Sequence, residues 1–144
     1  MEQRVQINVQ QPTAFKGMYV LENYLKESDV SKIHKQLIKI RASQINKCPF
    51  CLNMHTKEAL SIGETKERIF QLNAWKDSES FTNEEKAILQ MTEEITLIHK
   101  KGLDGNTYQK AISLFGESYT CQIIMAITTI NSWNRIAVST HMPF

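Results

Sequence analysis

The chain has 144 residues, of which 42% are hydrophobic and 22% charged, and its formal net charge is only +2. This composition is typical of a soluble globular protein, and the alternating signs of its charges exclude the basic stripe that nucleic-acid binding would need. The longest apolar run, residues 123–130, is too short to span a bilayer, and no apolar region follows residues 1–4, so we expect no secretory signal and a cytoplasmic protein.

The N-terminal part of the chain predicts an arm followed by two helices. Residues 1–13 alternate in polarity around Val5, Ile7 and Val9 and are expected to form a short strand or an extended arm. Residues 14–26 carry apolar positions at helical spacing. Ser31 is placed to cap a second helix that runs through residue 42.

The middle of the chain predicts three more helices. Pro49 suits the first position of a helix, and Gly63 suits the position just after its end. Residues 64–75 form a shorter helix. Thr82 and Glu85 make a capping-box pattern, Thr followed three residues later by Glu, which opens the next helix.

The C-terminal part completes an all-α fold. The helix after the capping box is expected to reach His99, and residues 107–115 form another helix that stops at Gly116. Residues 117–138 form the last and most apolar helix, which we expect to be the central packing element. The prediction is one domain over residues 1–144, a compact bundle of about six to seven helices.

Two cysteines and a histidine carry the strongest functional signal. Cys48, Cys51 and His55 fall along one stripe of the helix that starts at Pro49, because an α-helix turns once in ~3.6 residues. Proline at the first helical position makes Cys48 the N-cap and puts both sulfurs at the positive end of the helix dipole. Thiolates are stabilised there, with cysteine pKa values of ~3.5–7.5 instead of ~8.5.

This arrangement predicts reversible cysteine oxidation. His55 lies one turn after Cys51 and can take its proton or pair with its thiolate. One thiolate would attack the O–O bond of a peroxide and become a sulfenic acid, and the other cysteine would condense with it to a disulfide. A dithiol donor would then reduce that disulfide by exchange.

Two other interpretations of the same residues remain open. Both cysteines could be small core residues with His55 hydrogen-bonded beside them. Alternatively, Cys48, Cys51 and His55 could be three ligands of a zinc ion, with a fourth ligand from one further cysteine or histidine, namely Cys121, His34, His99 or His141.

At these residues the sequence resembles the carboxymuconolactone decarboxylase superfamily, in its alkylhydroperoxidase D-like (AhpD-like) branch. Residues 37–51 match as LIKIRASQINKCPFC, and the match continues through residues 53–55 to Ala59 and Gly63. A second matching segment, residues 131–135, reads NSWNR. With smaller matches at residues 74–75 and 81–82, the resemblance covers roughly residues 15–140.

The resemblance implies an all-helical fold and a thiol-dependent peroxidase or disulfide oxidoreductase that needs no metal or organic cofactor. It also implies homo-oligomers, often trimers or hexamers, a hydroperoxide substrate, and a dithiol protein or small thiol as reductant, without nucleic-acid or membrane partners. Cys51 corresponds to the peroxidatic cysteine, Cys48 to the resolving cysteine, and His55 to part of a proton relay. Helix-cap electrostatics alone would favour Cys48 as the thiol of lower pKa.

One departure from the family pattern concerns the proton relay. The best-characterised members of the family carry a glutamate twelve positions before the first cysteine, and here that position is Gln36. Glutamine can orient a water or a histidine, but it cannot act as a general base. Glu58 or bulk water would then transfer the proton. The alternative functions are a carboxymuconolactone decarboxylase-like enzyme and a non-enzymatic redox-sensing or zinc-binding oligomeric module.

Five other side chains were assigned structural roles. Trp133 is expected to pack in the core or at a subunit interface, and Arg135 to pair with a carboxylate. Cys121 lies in an apolar helix and is expected to be a buried thiol. His34 and His99 are expected on solvated helix faces.

Overall fold

The computed structural model describes residues 2–144, and every regular element in that range is helical. No helix in this range combines the length and apolar character needed to cross a bilayer. The predicted all-α fold is confirmed. The elements in chain order are α1 (Ile7–Gln10), α2 (Pro12–Glu27), α3 (Lys32–Ile45), α4 (Pro49–Ser61), α5 (Lys66–Gln71), a 3₁₀ turn (Leu72–Ala74), α6 (Asn83–Thr96), α7 (Ile98–Lys101) and α8 (Gly105–Thr140).

The alternation of apolar residues predicts a short strand or an extended arm at the N-terminus, but part of this segment is helical. Met1 lies outside the described residues, and helix α1 begins at Ile7. Val5 and Val9 are both largely exposed, so their alternation does not mark a buried sheet face. A strand without a neighbour leaves its backbone groups unpaired, whereas a helical turn satisfies its own, here through bonds such as Gln10 N–H to Gln6 C=O.

Side-chain caps begin the helices where the sequence predicted them. The Ser31 hydroxyl accepts a hydrogen bond from the His34 backbone N–H at 3.1 Å, at the start of α3. Thr82 and Glu85 form the complete capping box at the start of α6. These side chains satisfy backbone donors that the first helical turn leaves unpaired. The helix predicted over residues 64–75 is shorter, and its last turn is the 3₁₀ turn.

A glycine divides the longest helix at the predicted position. Gly116 in α8 has φ 76° and ψ 172°, a left-handed φ that is easy for glycine and strained for other residues. The helix therefore consists of two segments on either side of this residue. The preceding helix α6 ends at Thr96, earlier than predicted, and the short α7 follows it before Gly102.

Two apolar clusters pack around α3. The first joins α3 to α6 and α8 through the buried residues Ile38, Ala42, Ile88, Met91, Ile123, Ile127 and Ile130. The second lies beneath α4 and α5 and contains Leu37, Ile40, Ala59, Leu72, Trp75 and Leu89. Burying one large apolar side chain contributes roughly 1.5–3 kcal/mol. The second cluster packs α4, the helix that carries the cysteines, against α3, and a smaller cluster of Cys48, Cys51 and Ala137 packs the start of α4 against α8.

Three side chains differ from their predicted environments. Cys121 is exposed, because it lies on the outer face of α8, whereas the average polarity of the helix had indicated burial. His34 is partly buried and lies 2.9 Å from the Tyr119 hydroxyl, and burial lowers its pKa despite the nearby carboxylates that raise it. Arg135 donates to the backbone and side-chain oxygens of Asn131 instead of pairing with a carboxylate.

Candidate active site

A short turn between α3 and α4 sets the position of the first cysteine. Lys47 adopts a left-handed φ of 53°, which is uncommon for a residue other than glycine. The N–H of Cys48 then bonds to the carbonyl of Ser43 at 3.0 Å. Three residues, 46–48, thus connect α3 to α4, and Pro49 starts α4 immediately after the first cysteine.

Asparagine side chains from α8 hold this turn in place. The Asn46 amide donates to the side-chain oxygens of Asn131 and Asn134, both at 2.9 Å. Asn134 is 1% exposed and donates in turn to the Ser43 hydroxyl at 3.0 Å. Buried amides are costly unless they are paired, so this network fixes the turn to α8. These contacts give Asn131 and Asn134 a positioning role next to the cysteine pair.

The two cysteines form a buried disulfide at the start of α4. Cys48 is the N-cap, as predicted, and its sulfur accepts a hydrogen bond from the Cys51 N–H at 3.3 Å. The sulfurs of Cys48 and Cys51 are bonded to each other, and the two residues are 0% and 2% exposed. In the reduced protein, the helix dipole and this N–H would stabilise a thiolate at Cys48.

A histidine, a glutamate and a glutamine form a hydrogen-bonded chain beside the disulfide. His55 is 4% exposed, and its Nδ1 lies 2.9 Å from a carboxylate oxygen of Glu58. The Gln36 amide donates to the same carboxylate oxygen at 3.2 Å. With Nδ1–H donating to the carboxylate, the neutral imidazole keeps its Nε2 lone pair free to take a proton. Gln36, where the family has a glutamate, therefore contacts a carboxylate supplied from α4.

The charge state of Glu58 suits this arrangement. The hydrogen bond with His55 is the main cause that lowers the pKa of Glu58; the bond from Gln36 acts in the same direction, and partial burial opposes both. Glu58 is therefore ionised at neutral pH and stays ionised to a lower pH than an ordinary glutamate does. An ionised carboxylate on Nδ1 stabilises the imidazolium that forms when His55 accepts a proton.

A pocket of about 270 Å³ is lined by one of the two cysteines. Cys51, His55 and Glu58 line it, whereas Cys48 does not. Much of the remaining wall is apolar or aromatic. Phe50 and Met54 come from α4 itself, whereas Phe15 and Tyr19 of α2, Trp133 of α8, and Met142 come from distant parts of the chain. The rings of Phe15 and Trp133 meet edge to face at 5.2 Å. A ligand in this pocket would meet Cys51 first.

Two polar residues of the pocket were not identified from the sequence. Glu22 accepts a hydrogen bond from the Trp133 indole N–H at 2.9 Å, and Lys39 lies 3.5 Å from the same carboxylate group. Both lie on amphipathic helices, and although Lys39 falls within the matching segment 37–51, nothing in the sequence assigns either residue to the site. Only the packing of α2 and α3 beside α4 brings them to the pocket.

The zinc interpretation finds no matching cluster in the part of the chain that the structure describes. Residues 2–144 contain no group of three or more His, Cys, Asp or Glu side chains arranged to hold a metal ion. His99 is exposed in α7, as predicted. His141 ends α8 with a left-handed φ of 48° and lies within 3.3 Å of the Glu2 carbonyl.

Known proteins share this architecture. The profile of the Carboxymuconolactone decarboxylase family matches residues 12–94. The uncharacterised protein YdfG of Bacillus subtilis (strain 168) is 40% identical over 139 residues, which cover 96% of this chain and 95% of YdfG. A crystal structure of a protein of unknown function from Agrobacterium tumefaciens, named as a candidate antioxidant defence protein AhpD, superposes with a TM-score of 0.94. It is 34% identical, and the match covers 99% of this chain and 97% of that one.

A more distant structure shares the fold alone. It is an uncharacterised peroxidase-related protein from Silicibacter sp. TM1040, with a TM-score of 0.79 and 24% identity. The match covers 94% of this chain and 71% of that one.

Proposed function

Because the chain belongs to the carboxymuconolactone decarboxylase family, we propose that it acts in the AhpD-like manner, as a thiol-dependent peroxidase that cycles the Cys48–Cys51 pair. One observation carries the proposal. Cys51 lines an apolar pocket together with a His55–Glu58 pair, while Cys48 is bonded to it from the buried side. A reactive sulfur, a base and a partner sulfur are the parts that the reaction needs.

The oxidising half of the cycle begins with both cysteines reduced. Nε2 of His55 accepts the proton of the Cys51 thiol, and the thiolate attacks the terminal oxygen of a hydroperoxide. The O–O bond breaks, an S–O bond forms, and the departing alkoxide takes the proton from His55 and leaves as an alcohol. Cys51 is then a sulfenic acid, oxidised by two electrons.

The resolving step uses the stabilised thiolate at Cys48. It attacks the Cys51 sulfur, the S–O bond breaks, and hydroxide leaves as water after it takes a proton, which produces the disulfide. An external dithiol or a pair of thiols then attacks Cys51 from the pocket. Cys48 departs as a thiolate, because low-pKa thiols leave faster, and a second thiol of the reductant then attacks the reductant's sulfur in the mixed disulfide and releases Cys51. Access and leaving-group ability therefore both direct exchange to Cys51.

The burial of the disulfide favours a small oxidised substrate. With Cys51 only 2% exposed, the disulfide of a folded protein could not reach its sulfur without a rearrangement, whereas a hydroperoxide or a slender thiol fits a pocket of about 270 Å³. The apolar part of the wall suits the organic group of an alkyl hydroperoxide.

A direct test measures peroxide-driven disulfide formation. The fully reduced protein, mixed with cumene hydroperoxide in a stopped-flow instrument, should lose two thiols per hydroperoxide consumed, and the fluorescence of Trp133 should report the change in its pocket. The rate should exceed that of a free thiol at the same pH by at least about a hundredfold, since the site lowers the thiol pKa and positions the base. A rate equal to that of the free thiol would contradict the proposed function.

The Glu58 carboxylate is expected to matter as a positioning residue for His55. Glu58→Gln should slow the peroxide step by about 10- to 100-fold, the usual cost of losing the carboxylate behind a functional histidine. Because the pKa of Glu58 is lowered, protonation of this carboxylate should affect the wild-type rate only at a pH below that at which an ordinary glutamate titrates. Rate–pH profiles of the wild type and the variant check both expectations.

Glu79→Gln is the matched control for this variant. Glu79 is exposed and lies outside the site, so its replacement removes the same charge and should leave the rate unchanged. If Glu58→Gln behaves like Glu79→Gln at every pH, the proton reaches His55 by another route.

A further inference from the structure

A lysine groove opens beside the disulfide pocket. Its volume is about 420 Å³, and four of the residues that line it are Lys26, Lys32, Lys35 and Lys39. The last three are spaced three and four residues apart in α3, so they lie on one face of that helix. The lysine groove adjoins the disulfide pocket, because both cavities are lined by Glu22, Lys39 and Glu58.

The carboxylates of this region are already engaged. Glu22 accepts from Trp133 and pairs with Lys39 at 3.5 Å, and Glu58 is bound by His55 and Gln36. Within residues 2–144, none of the other three lysines of the groove forms an ion pair, namely Lys26, Lys32 and Lys35. The groove therefore holds an excess of positive charge at its outer end.

The pKa of Lys35 is affected by this excess of positive charge. Partial burial is the main cause that lowers its pKa, and the positive charges of Lys39 and Lys32 lower it further, against the opposing effect of Glu22. Its ammonium reaches only the carbonyl of Lys26, at 3.4 Å. An anionic group in the groove would add the missing counter-charge.

The two cavities together match one kind of molecule. At 1.5 Å rise per residue, Lys35 and Lys32 lie about 6 and 10 Å along α3 from Lys39, which lines the disulfide pocket. We propose that the substrate is a hydroperoxide of a long-chain aliphatic acid. Its carboxylate binds at Lys32 and Lys35, and its alkyl chain carries the –OOH group into the apolar pocket at Cys51. This inference rests on the proposed peroxidase function.

The test compares three hydroperoxides on the reduced protein: linoleic acid hydroperoxide below its micelle-forming concentration, its methyl ester, and cumene hydroperoxide. The acid should react about five- to tenfold faster than its ester, since about 1.4 kcal/mol of added binding corresponds to a factor of ten. Lys35→Glu should remove this preference without changing the rates for the ester and for cumene hydroperoxide. Lys110→Glu, an exposed lysine of α8, is the control with the same charge change and should keep the preference.

Binding to the oxidised protein gives a second readout that needs no turnover. Oleate should bind more tightly than methyl oleate, as measured by quenching of the fluorescence of Trp133. Lys35→Glu should weaken only the oleate complex. The inference would be overturned if acid and ester reacted at equal rates and if oleate and methyl oleate bound equally. Turnover of cumene hydroperoxide in that case would leave the proposed peroxidase function standing. Selective oleate binding without turnover of any hydroperoxide would keep the ligand class and overturn the peroxidase.

Discussion

Replacing Cys51 with serine is expected to lower the rate of hydroperoxide consumption by at least about a thousandfold, the order of loss seen when a covalent nucleophile is removed. The reason is access, since Cys51 lines the pocket and Cys48 does not. A serine hydroxyl has nearly the same shape but is not ionised at neutral pH, so His55 would have no thiolate to pair with. The measurement is the stopped-flow rate of peroxide loss under single-turnover conditions.

Cys48→Ser separates attack from resolution and is the matched control. It should keep the rate of the first step within about tenfold of the wild type, because Cys51 and His55 are untouched. The sulfenic acid should then accumulate at Cys51, where dimedone and mass spectrometry can locate it, and excess peroxide should drive it to the sulfinic acid. A dimedone adduct at Cys48 in the Cys51→Ser protein, with unchanged peroxide consumption, would reverse the assigned roles.

Arg68→Met is expected to reduce the free energy of unfolding by about 3–5 kcal/mol, the usual cost of leaving buried charges without their partner. Arg68 bonds to Glu64 at 2.7 Å and to Glu85 at 2.7 Å, donates to the carbonyl of Ser80, and lies over the ring of Phe81. Both glutamates are only 7% exposed. The melting temperature should fall by roughly 10 °C, as followed by circular dichroism.

The pH dependence of this effect identifies its cause. In the wild type, burial raises the pKa of Glu85, but hydrogen bonds from Arg68 and Thr82 outweigh it and leave the pKa lowered. This carboxylate therefore stabilises the fold above its unfolded pKa, and that stability is lost as the pH falls through the folded pKa. Without Arg68, burial would dominate and raise the pKa of Glu85 above its ordinary value. Protonation of this carboxyl in acid would then remove the cost of its buried charge, so the difference in the free energy of unfolding between variant and wild type should shrink at acidic pH.

Lys76→Met is the control for charge and length. Lys76 is largely exposed and lies 3.6 Å from a carboxylate oxygen of Glu93, so its loss should cost less than about 1 kcal/mol. Adding Glu64→Gln and Glu85→Gln to the Arg68→Met protein should restore part of its stability. Equal losses in Arg68→Met and Lys76→Met would show that the buried carboxylates are not the cause.

Much of the fold could be predicted because local chemistry determines where helices begin. The Ser31 cap, the capping box at Thr82, the proline start of α4 and the break at Gly116 all lie where the sequence predicted them. Each depends on a side chain and the backbone within a few residues of it. The sequence pattern was misleading at residues 7–10. Alternating apolar residues indicate a strand only where a neighbouring strand can pair with it, and here the segment is helical.

The proton relay could be predicted only in part. Gln36 was identified as a departure from the family pattern, and Glu58 as one group that could replace the glutamate. That these two side chains share a hydrogen bond follows from the packing of α3 against α4 and cannot be obtained from spacing alone. The exposed position of Cys121 is a similar case, because the average polarity of a helix does not determine which of its faces is covered.

The sequence by itself determined the helices, their caps and the N-terminal position of the cysteine pair on α4, because these depend on contacts within one or two turns. Only the tertiary structure decided which sulfur faces a pocket, what the pocket wall is made of, and that a lysine groove adjoins it. Those properties come from α2, α3 and α8, which lie far from the cysteines along the chain. The placement of these helices relative to one another is set by burial of apolar surface. A buried position requires an apolar side chain but accepts several residue types, so the sequence does not specify which helices will meet.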